Sequence, residues 1–239
     1  MIESTGPGAS LDPEARPWSF FDAAIAALTG LGVALLAAGV VHADGITTFE
    51  AFAVIGPAQH LGTLGVVALL APRRDGVVGG LGLRMAGRDL AYLPAGAGMA
   101  IGLGIFLYLI VEVFLGGEAP TQSVVEAADQ ATGVPTGIGV VVTAVVLGPL
   151  AEEIVFRGIL LQALLRRFGR KAAVYGSAGV FASLHVVLDP SAYLVSPALF
   201  VLGIVLALLF LHTGRLGAPI MMHTGFNLYS VVLLLVVSE

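Results

Sequence analysis

The hydrophobic positions of this chain form long continuous blocks instead of short alternating runs. The blocks predict helices at approximately 18–41, 46–71, 90–115, 137–165, 171–188, 192–212 and 217–237. A helix of about 20 apolar residues crosses the roughly 30 Å hydrocarbon core of a bilayer. A membrane barrel would instead need alternating segments of about 10 residues. The pattern therefore predicts an all-α polytopic transmembrane helix bundle of about seven spans.

Composition supports a membrane location and narrows the possible chemistry. Hydrophobic residues make up 57% of the chain and charged residues 11%, whereas a soluble domain carries about 25% charged residues. The lipid bilayer is therefore the first predicted partner. No basic cluster is large enough to predict nucleic-acid binding. The chain has no cysteine, which excludes disulfides, thiolate nucleophiles and cysteine-ligated metals.

The loop cations fall on alternate predicted loops. They are Arg73, Arg74, Arg84, Arg88, Arg166, Arg167, Arg170, Lys171 and Arg215. The loops at 42–45, 116–136 and 189–191 contain neither Lys nor Arg. Because cytoplasmic loops carry the excess of Lys and Arg, the alternation predicts a cytoplasmic N-terminus.

The chain begins with a polar segment that precedes the first hydrophobic block. Residues 1–17 are polar and contain three prolines, which predicts a disordered tail. Residues 18–239 are predicted to form a single transmembrane domain. High Ala, Gly, Val and Arg usage suggests a bacterial source, so the predicted location is the bacterial plasma membrane.

Three charged residues lie at membrane depth in the fourth predicted span, where they are costly and indicate function. The segment reads GPLAEEIVFRG and contains Glu152, Glu153 and Arg157. Glu153 and Arg157 are four residues apart, so they are predicted to form an ion pair on one helix face. Glu152 lies about 100° around the helix from Glu153. It is therefore left out of the predicted ion pair and free for another role. Pro149 predicts a kink just before the carboxylates, with ordinary helix packing as the equal alternative.

Two later spans add polar residues at helical spacing. The fifth contains Phe181 and His185, and the seventh contains His223 and Asn227. A lone intramembrane histidine is most often a packing residue. Counted from the cationic ends of their spans, Glu152 and His185 both lie about 21 Å deep, with Asn227 at about 18 Å and His223 at about 12 Å. The sequence thus predicts that three helices supply one polar layer.

The motif series EExxxR, FxxxH and HxxxN resembles that of the CAAX-processing and bacteriocin-processing (CPBP) intramembrane proteases, which include the type II CAAX prenyl endopeptidases. The resemblance covers about 137–230. It implies an intramembrane endopeptidase that hydrolyses a peptide bond with an activated water. The implied catalytic residues are Glu152, Glu153, Arg157, His185, His223 and Asn227.

The resemblance also implies a division of roles. Glu152 and His185 would hold and activate the water, and His223 and Asn227 would stabilise the oxyanion. The same groups could bind zinc, since two histidines and a glutamate form a known catalytic set. The implied metal ligands are Glu152, His185 and His223. A metal-free activated water remains the alternative.

Other residues and functions compete with this interpretation. His60 could line the cavity with Gln59, but packing is favoured. Ser177, Ser183 and Thr224 have no GxSxG context, which argues against a serine nucleophile. A non-catalytic CPBP-like bacteriocin-immunity or scaffold protein is one alternative function. A proton-coupled transporter is another, although no repeat supports it. The predicted substrate is a membrane-associated peptide or protein.

Overall fold

A computed structural model describes residues 16–43, 48–116, 138–139 and 141–237. In these ranges the chain is an all-α bundle without strands. Its α-helices are α1 (Phe20–Ala43), α2 (Thr48–Leu70), α3 (Tyr92–Leu115), α4 (Gly148–Glu153), α5 (Gln162–Leu188), α6 (Ser196–Thr213) and α7 (Gly217–Val237). The predicted tail up to residue 15 and most of the predicted loops at 42–45 and 116–136 lie outside the described residues.

The fourth span departs from a regular α-helix around the predicted carboxylates. The short helix α4 stands between two wider π-helical stretches, Val142–Leu147 and Ile154–Leu161. Gly148 donates its N–H to the carbonyl of Thr143, five residues back, and Pro149 has no N–H to donate. Proline and π-turns are the usual causes of bends in a helix. The sequence thus located the irregular point, and the wide turns are an addition that it did not predict.

The break between the fourth and fifth predicted spans lies at Gly169. Its φ of 78° and ψ of 177° are not helical, and glycine adopts this conformation without steric cost. The chain therefore changes direction inside α5. The part after Gly169 carries Phe181 and His185, as a span separate from the one that carries Glu152.

The chain is an integral membrane protein. Four stretches of the described residues are long and apolar enough to cross a membrane: Phe20–Val41, Ala53–Arg73, Gly87–Phe114 and Ser196–Thr213. They correspond to the first, second, third and sixth predicted spans. The helices with the polar motifs are not among them. The count of seven spans and the cytoplasmic N-terminus stay predictions.

The cation-rich segments meet at one end of the bundle. Arg74 donates two hydrogen bonds to the buried carboxylate of Asp22. Arg215 pairs in the same way with the buried Asp89. The side chain of Arg166 contacts the carbonyl of Trp18. These contacts place the three cation-bearing segments on the same side of the bundle, as their alternation along the chain predicted.

Glycines bring α3 and α7 into backbone contact. A β-carbon on Gly96 would lie 1.9 Å from the carbonyl oxygen of Met222, and one on Gly225 would lie 2.0 Å from that of Leu93. Only glycine permits so close an approach. This packing fixes the position of α7, which carries His223 and Asn227.

Candidate functional site

Glu153 is the centre of a buried polar cluster. Its side chain has no solvent exposure. The Oε1 atom accepts a hydrogen bond of 2.8 Å from Nη1 of Arg157 and lies 2.9 Å from Nδ1 of His223. Arg157 also donates to the carbonyl of Gly203 on α6 at 3.1 Å. The predicted Glu153–Arg157 ion pair is therefore present, and it links α6 and α7 to the segment 142–161, called the motif helix below.

Aromatic rings enclose this cluster. The guanidinium carbon of Arg157 lies 4.9 Å from the ring centroid of Phe181. Phe181 meets the ring of His223 edge-on at 5.8 Å and the ring of His185 at 4.7 Å. A cation over an aromatic face is stabilised by the ring quadrupole, more so when water is excluded. Phe181 thus packs against the guanidinium of Arg157 and against both histidines.

Glu152 has a different environment. About a quarter of its side chain is exposed, at 25%, and it lines a cavity. Its Oε2 atom lies 3.8 Å from Nε2 of His223. Since Oε1 of Glu153 lies against the other ring nitrogen, His223 stands between the two carboxylates. The prediction that pairing of Glu153 leaves Glu152 free is confirmed.

His185 points one nitrogen at its own helix. Its Nδ1 lies 2.9 Å from the carbonyl oxygen of Phe181. A carbonyl only accepts, so Nδ1 carries the proton and Nε2 of the neutral ring keeps its lone pair. His185 also lines the cavity with Glu152 and Asn227. The predicted polar layer is thus present, with His223 set behind the cavity wall at 2% exposure.

Helix α7 donates side-chain hydrogen bonds to two carbonyls of the segment that precedes Pro149. The carbonyl of Ala144 accepts from Nδ2 of Asn227 at 2.8 Å, and that of Val145 accepts from the hydroxyl of Thr224 at 3.0 Å. An orphaned carbonyl inside a membrane costs several kcal/mol. Two α7 side chains therefore stabilise the irregular segment that precedes Glu152. Asn227 keeps a second N–H for other use.

The cavity has a volume of 1040 Å³. Its walls come from α1, α2, α3, the motif helix, α5, α6 and α7, and they are mainly apolar. Glu152, His185, Asn227 and His60 are among its few polar side chains. Such a cavity, with a small number of convergent polar groups, is the usual form of a ligand or substrate site.

The predicted zinc ligands are Glu152, His185 and His223. Among the described residues, no three His, Asp or Glu side chains are grouped so that they could hold a metal ion together. His223 also lies against Glu153 through Nδ1. The zinc ligand set of Glu152, His185 and His223 therefore stays a prediction.

Sequence reasoning undervalued two residues of the site. For His60 the sequence favours packing over a place at the cavity, whereas the structure places it at the cavity wall with Gln59 and Glu152. Thr224 was considered only as a nucleophile, and it instead binds the carbonyl of Val145. The signal for Thr224 was Pro149, since each intrahelical proline frees a carbonyl that needs a donor.

Comparison with known families gives one result. Residues 134–229 match the family model described as type II CAAX prenyl endopeptidase Rce1-like. Comparison with curated proteins and with solved structures finds no match for this chain. The matched stretch contains Glu152, Glu153, Arg157, His185, His223 and Asn227, and it indicates CAAX-type intramembrane protease activity. Over residues 134–229, the chain is therefore similar to the CPBP/CAAX protease family.

Proposed function

We propose that this protein is an intramembrane endopeptidase that uses Glu152 to activate the hydrolytic water. The observation that carries the proposal is the pair of environments around the two glutamates. Glu153 is fully buried and paired with Arg157, whereas Glu152 faces the cavity beside His185 and Asn227. A general base must reach its proton, and of the two only Glu152 can do so.

The proposed reaction begins with a water held between Glu152 and Nε2 of His185. Glu152 takes a proton from the water, and the water oxygen adds to the carbonyl carbon of the scissile peptide bond. The second N–H of Asn227 donates to the oxyanion, a type of interaction worth about 3–4 kcal/mol when it is preorganised. The tetrahedral intermediate then breaks its C–N bond, and the nitrogen leaves with a proton.

The surrounding residues orient this chemistry. His223 lies 2.9 Å from Glu153 and 3.8 Å from Glu152, so we assign it to positioning the two carboxylates relative to each other. An oxyanion role for His223 would require a substrate to reach a ring that is 2% exposed. The geometry therefore favours Asn227 as the oxyanion donor and His223 as a positioning residue.

The apolar cavity wall supports a substrate that is itself apolar. We propose a membrane-embedded peptide or the membrane-proximal part of a protein, in the bacterial plasma membrane. The matched family model is named for prenylated CAAX substrates. For this chain, that substrate class is a proposal that a direct comparison of peptides can test.

The test is a cleavage assay in liposomes. A library of membrane peptides and a prenylated CAAX peptide, with its unprenylated counterpart, would be incubated with wild type, Glu152→Gln and His185→Ala. We expect cleavage by the wild type and loss in both variants. Retained activity in both variants would refute the mechanism. Metal analysis of the purified protein, with and without a chelator in the assay, tests the zinc prediction separately.

A further inference from the structure

His60 lies on α2, outside the three motifs, and it is the fourth polar group at the cavity wall near Glu152. It lines the cavity together with Glu152, His185 and Asn227. Its ring is half-buried. Residues of α2 contact both α4 and the π-helical stretch Val142–Leu147. The fold thus brings α2 directly against the segment that presents Glu152.

The space between His60 and Glu152 lies over Gly148. A β-carbon built on Gly148 would lie 3.5 Å from Nε2 of His60 and 3.8 Å from Oε1 of Glu152. Both atoms therefore face the point where any other residue would carry a side chain. The second oxygen of Glu152, Oε2, faces His223 instead. The carboxylate lies between two histidines, and its Oε1 edge is the one turned to His60.

His60 differs from the other two histidines of the site because its ring makes no hydrogen bond to another described residue. His185 anchors Nδ1 on the carbonyl of Phe181, and His223 anchors Nδ1 on Glu153. Within the part of the chain that the structure describes, the ring of His60 has no hydrogen-bond partner. A polar ring that is kept at membrane depth without a partner is costly. The expected compensation is a ligand or substrate group in the cavity.

We propose that His60 is a further catalytic residue, which protonates the leaving nitrogen of the scissile peptide bond. The inference rests on the proposed protease function. Glu152 takes one proton from the attacking water at Oε1, and the proton passes to Nε2 of His60 across the space over Gly148. As the C–N bond breaks, the nitrogen takes this proton from His60. The new carboxylic acid then loses its remaining acidic proton to solvent, and both side chains return to their starting states.

Substrates that differ only in the leaving group test this role. A peptide amide needs a proton on its nitrogen, whereas an ester of a good leaving alcohol does not. For His60→Gln, we expect kcat on the amide to fall by about 10²-fold with KM nearly unchanged, and kcat on the ester to stay within about 3-fold. Gln retains a polar group but cannot carry a proton. The exposed His212 at the end of α6 offers the matched control His212→Gln, expected to cleave both substrates like wild type.

Gly148→Ala provides a second variant that leaves His60 in place. The added methyl group would fill the space between Nε2 of His60 and Oε1 of Glu152, with the carbonyl of Thr143 3.1 Å away. We expect the same selective loss on the amide, and thermal unfolding would report any cost to the fold. Equal losses on amide and ester in both variants would mean that His60 only packs, and would overturn the proposal.

A spectroscopic measurement that needs no substrate cleavage distinguishes the role of His60 from the proposed protease function. In ¹⁵N-histidine spectra, His60→Gln assigns the His60 signals, and Glu152→Gln should shift them in the otherwise intact protein. Unchanged His60 signals would overturn the role of His60 whatever the activity. If Glu152→Gln cleaves like wild type, the proposed function itself fails. If only Glu152→Gln is inactive and His60→Gln is not, the protease mechanism stands without His60.

Discussion

Glu152 and Glu153 are neighbours in the sequence, but their carboxylates have opposite surroundings. Glu153 is closed off from solvent and held by Arg157 and His223. Glu152 faces a 1040 Å³ cavity and contacts His223 at the longer distance of 3.8 Å. The two side chains differ by about 100° of helix rotation. A step of one residue along a helix can therefore separate a structural charge from a reactive one.

The largest expected effect is the loss of activity on changing Glu152. Glu152→Gln removes the proposed general base, so kcat should fall by about 10²- to 10⁴-fold. Because Glu152 makes no short ion pair, the melting temperature should change little. Cleavage of a membrane peptide in liposomes and thermal unfolding in detergent measure the two quantities. Cleavage at the wild-type rate by this variant would show that Glu152 is not the reactive carboxylate of the two.

The reverse pattern is expected at the buried pair. Arg157→Met leaves the carboxylate of Glu153 buried without its counter-ion, which should destabilise the fold by about 3–5 kcal/mol. Thermal unfolding in detergent would measure the loss. The double variant Glu153→Gln with Arg157→Met removes both charges, and it should be more stable than the single variant. A single variant as stable as wild type would show that Glu153 does not need its partner.

Helix packing should have a smaller effect, and it offers a matched pair of glycines on α3. In Gly96→Ala the new methyl group meets the carbonyl of Met222, next to His223. Overpacking of this kind costs about 1–3 kcal/mol of stability. It should also lower activity, because it displaces α7, which carries His223 and Asn227. In Gly98→Ala the methyl group meets nothing within 4 Å. Equal melting temperatures and activities for the two variants would contradict this account.

The smallest expected effect belongs to Thr224. Thr224→Val keeps the side-chain shape but removes the hydroxyl that donates to Val145, a loss of about 1 kcal/mol. If this irregular segment positions Glu152, kcat should fall about fivefold, with KM unchanged. Thr224→Ser keeps the hydroxyl and should restore kcat. Failure of Ser to restore it would assign the effect of Val to packing instead.

Much of this site could be predicted because its motifs act within one turn of a helix. Residues four apart share a helix face, so the Glu153–Arg157 pair and the free position of Glu152 follow from spacing alone. The membrane class follows from hydropathy, and the separation of the fourth and fifth helical segments follows from the cationic stretch at 166–171. The zinc ligand set, in contrast, stays a prediction from residue types. Ligand geometry depends on distances between three helices, however, and spacing within one helix does not define them.

The sequence by itself determined that this protein is a helical membrane protein with one polar layer, because the cost of charge in lipid makes such residues conspicuous. Only the tertiary structure decided which groups touch. It placed His223 between two carboxylates, paired Thr224 and Asn227 with two carbonyls that precede Pro149, and placed His60 near Glu152 beside Gly148. These contacts join residues far apart in the chain, and close packing of helices, through glycines such as Gly96, is what brings them together.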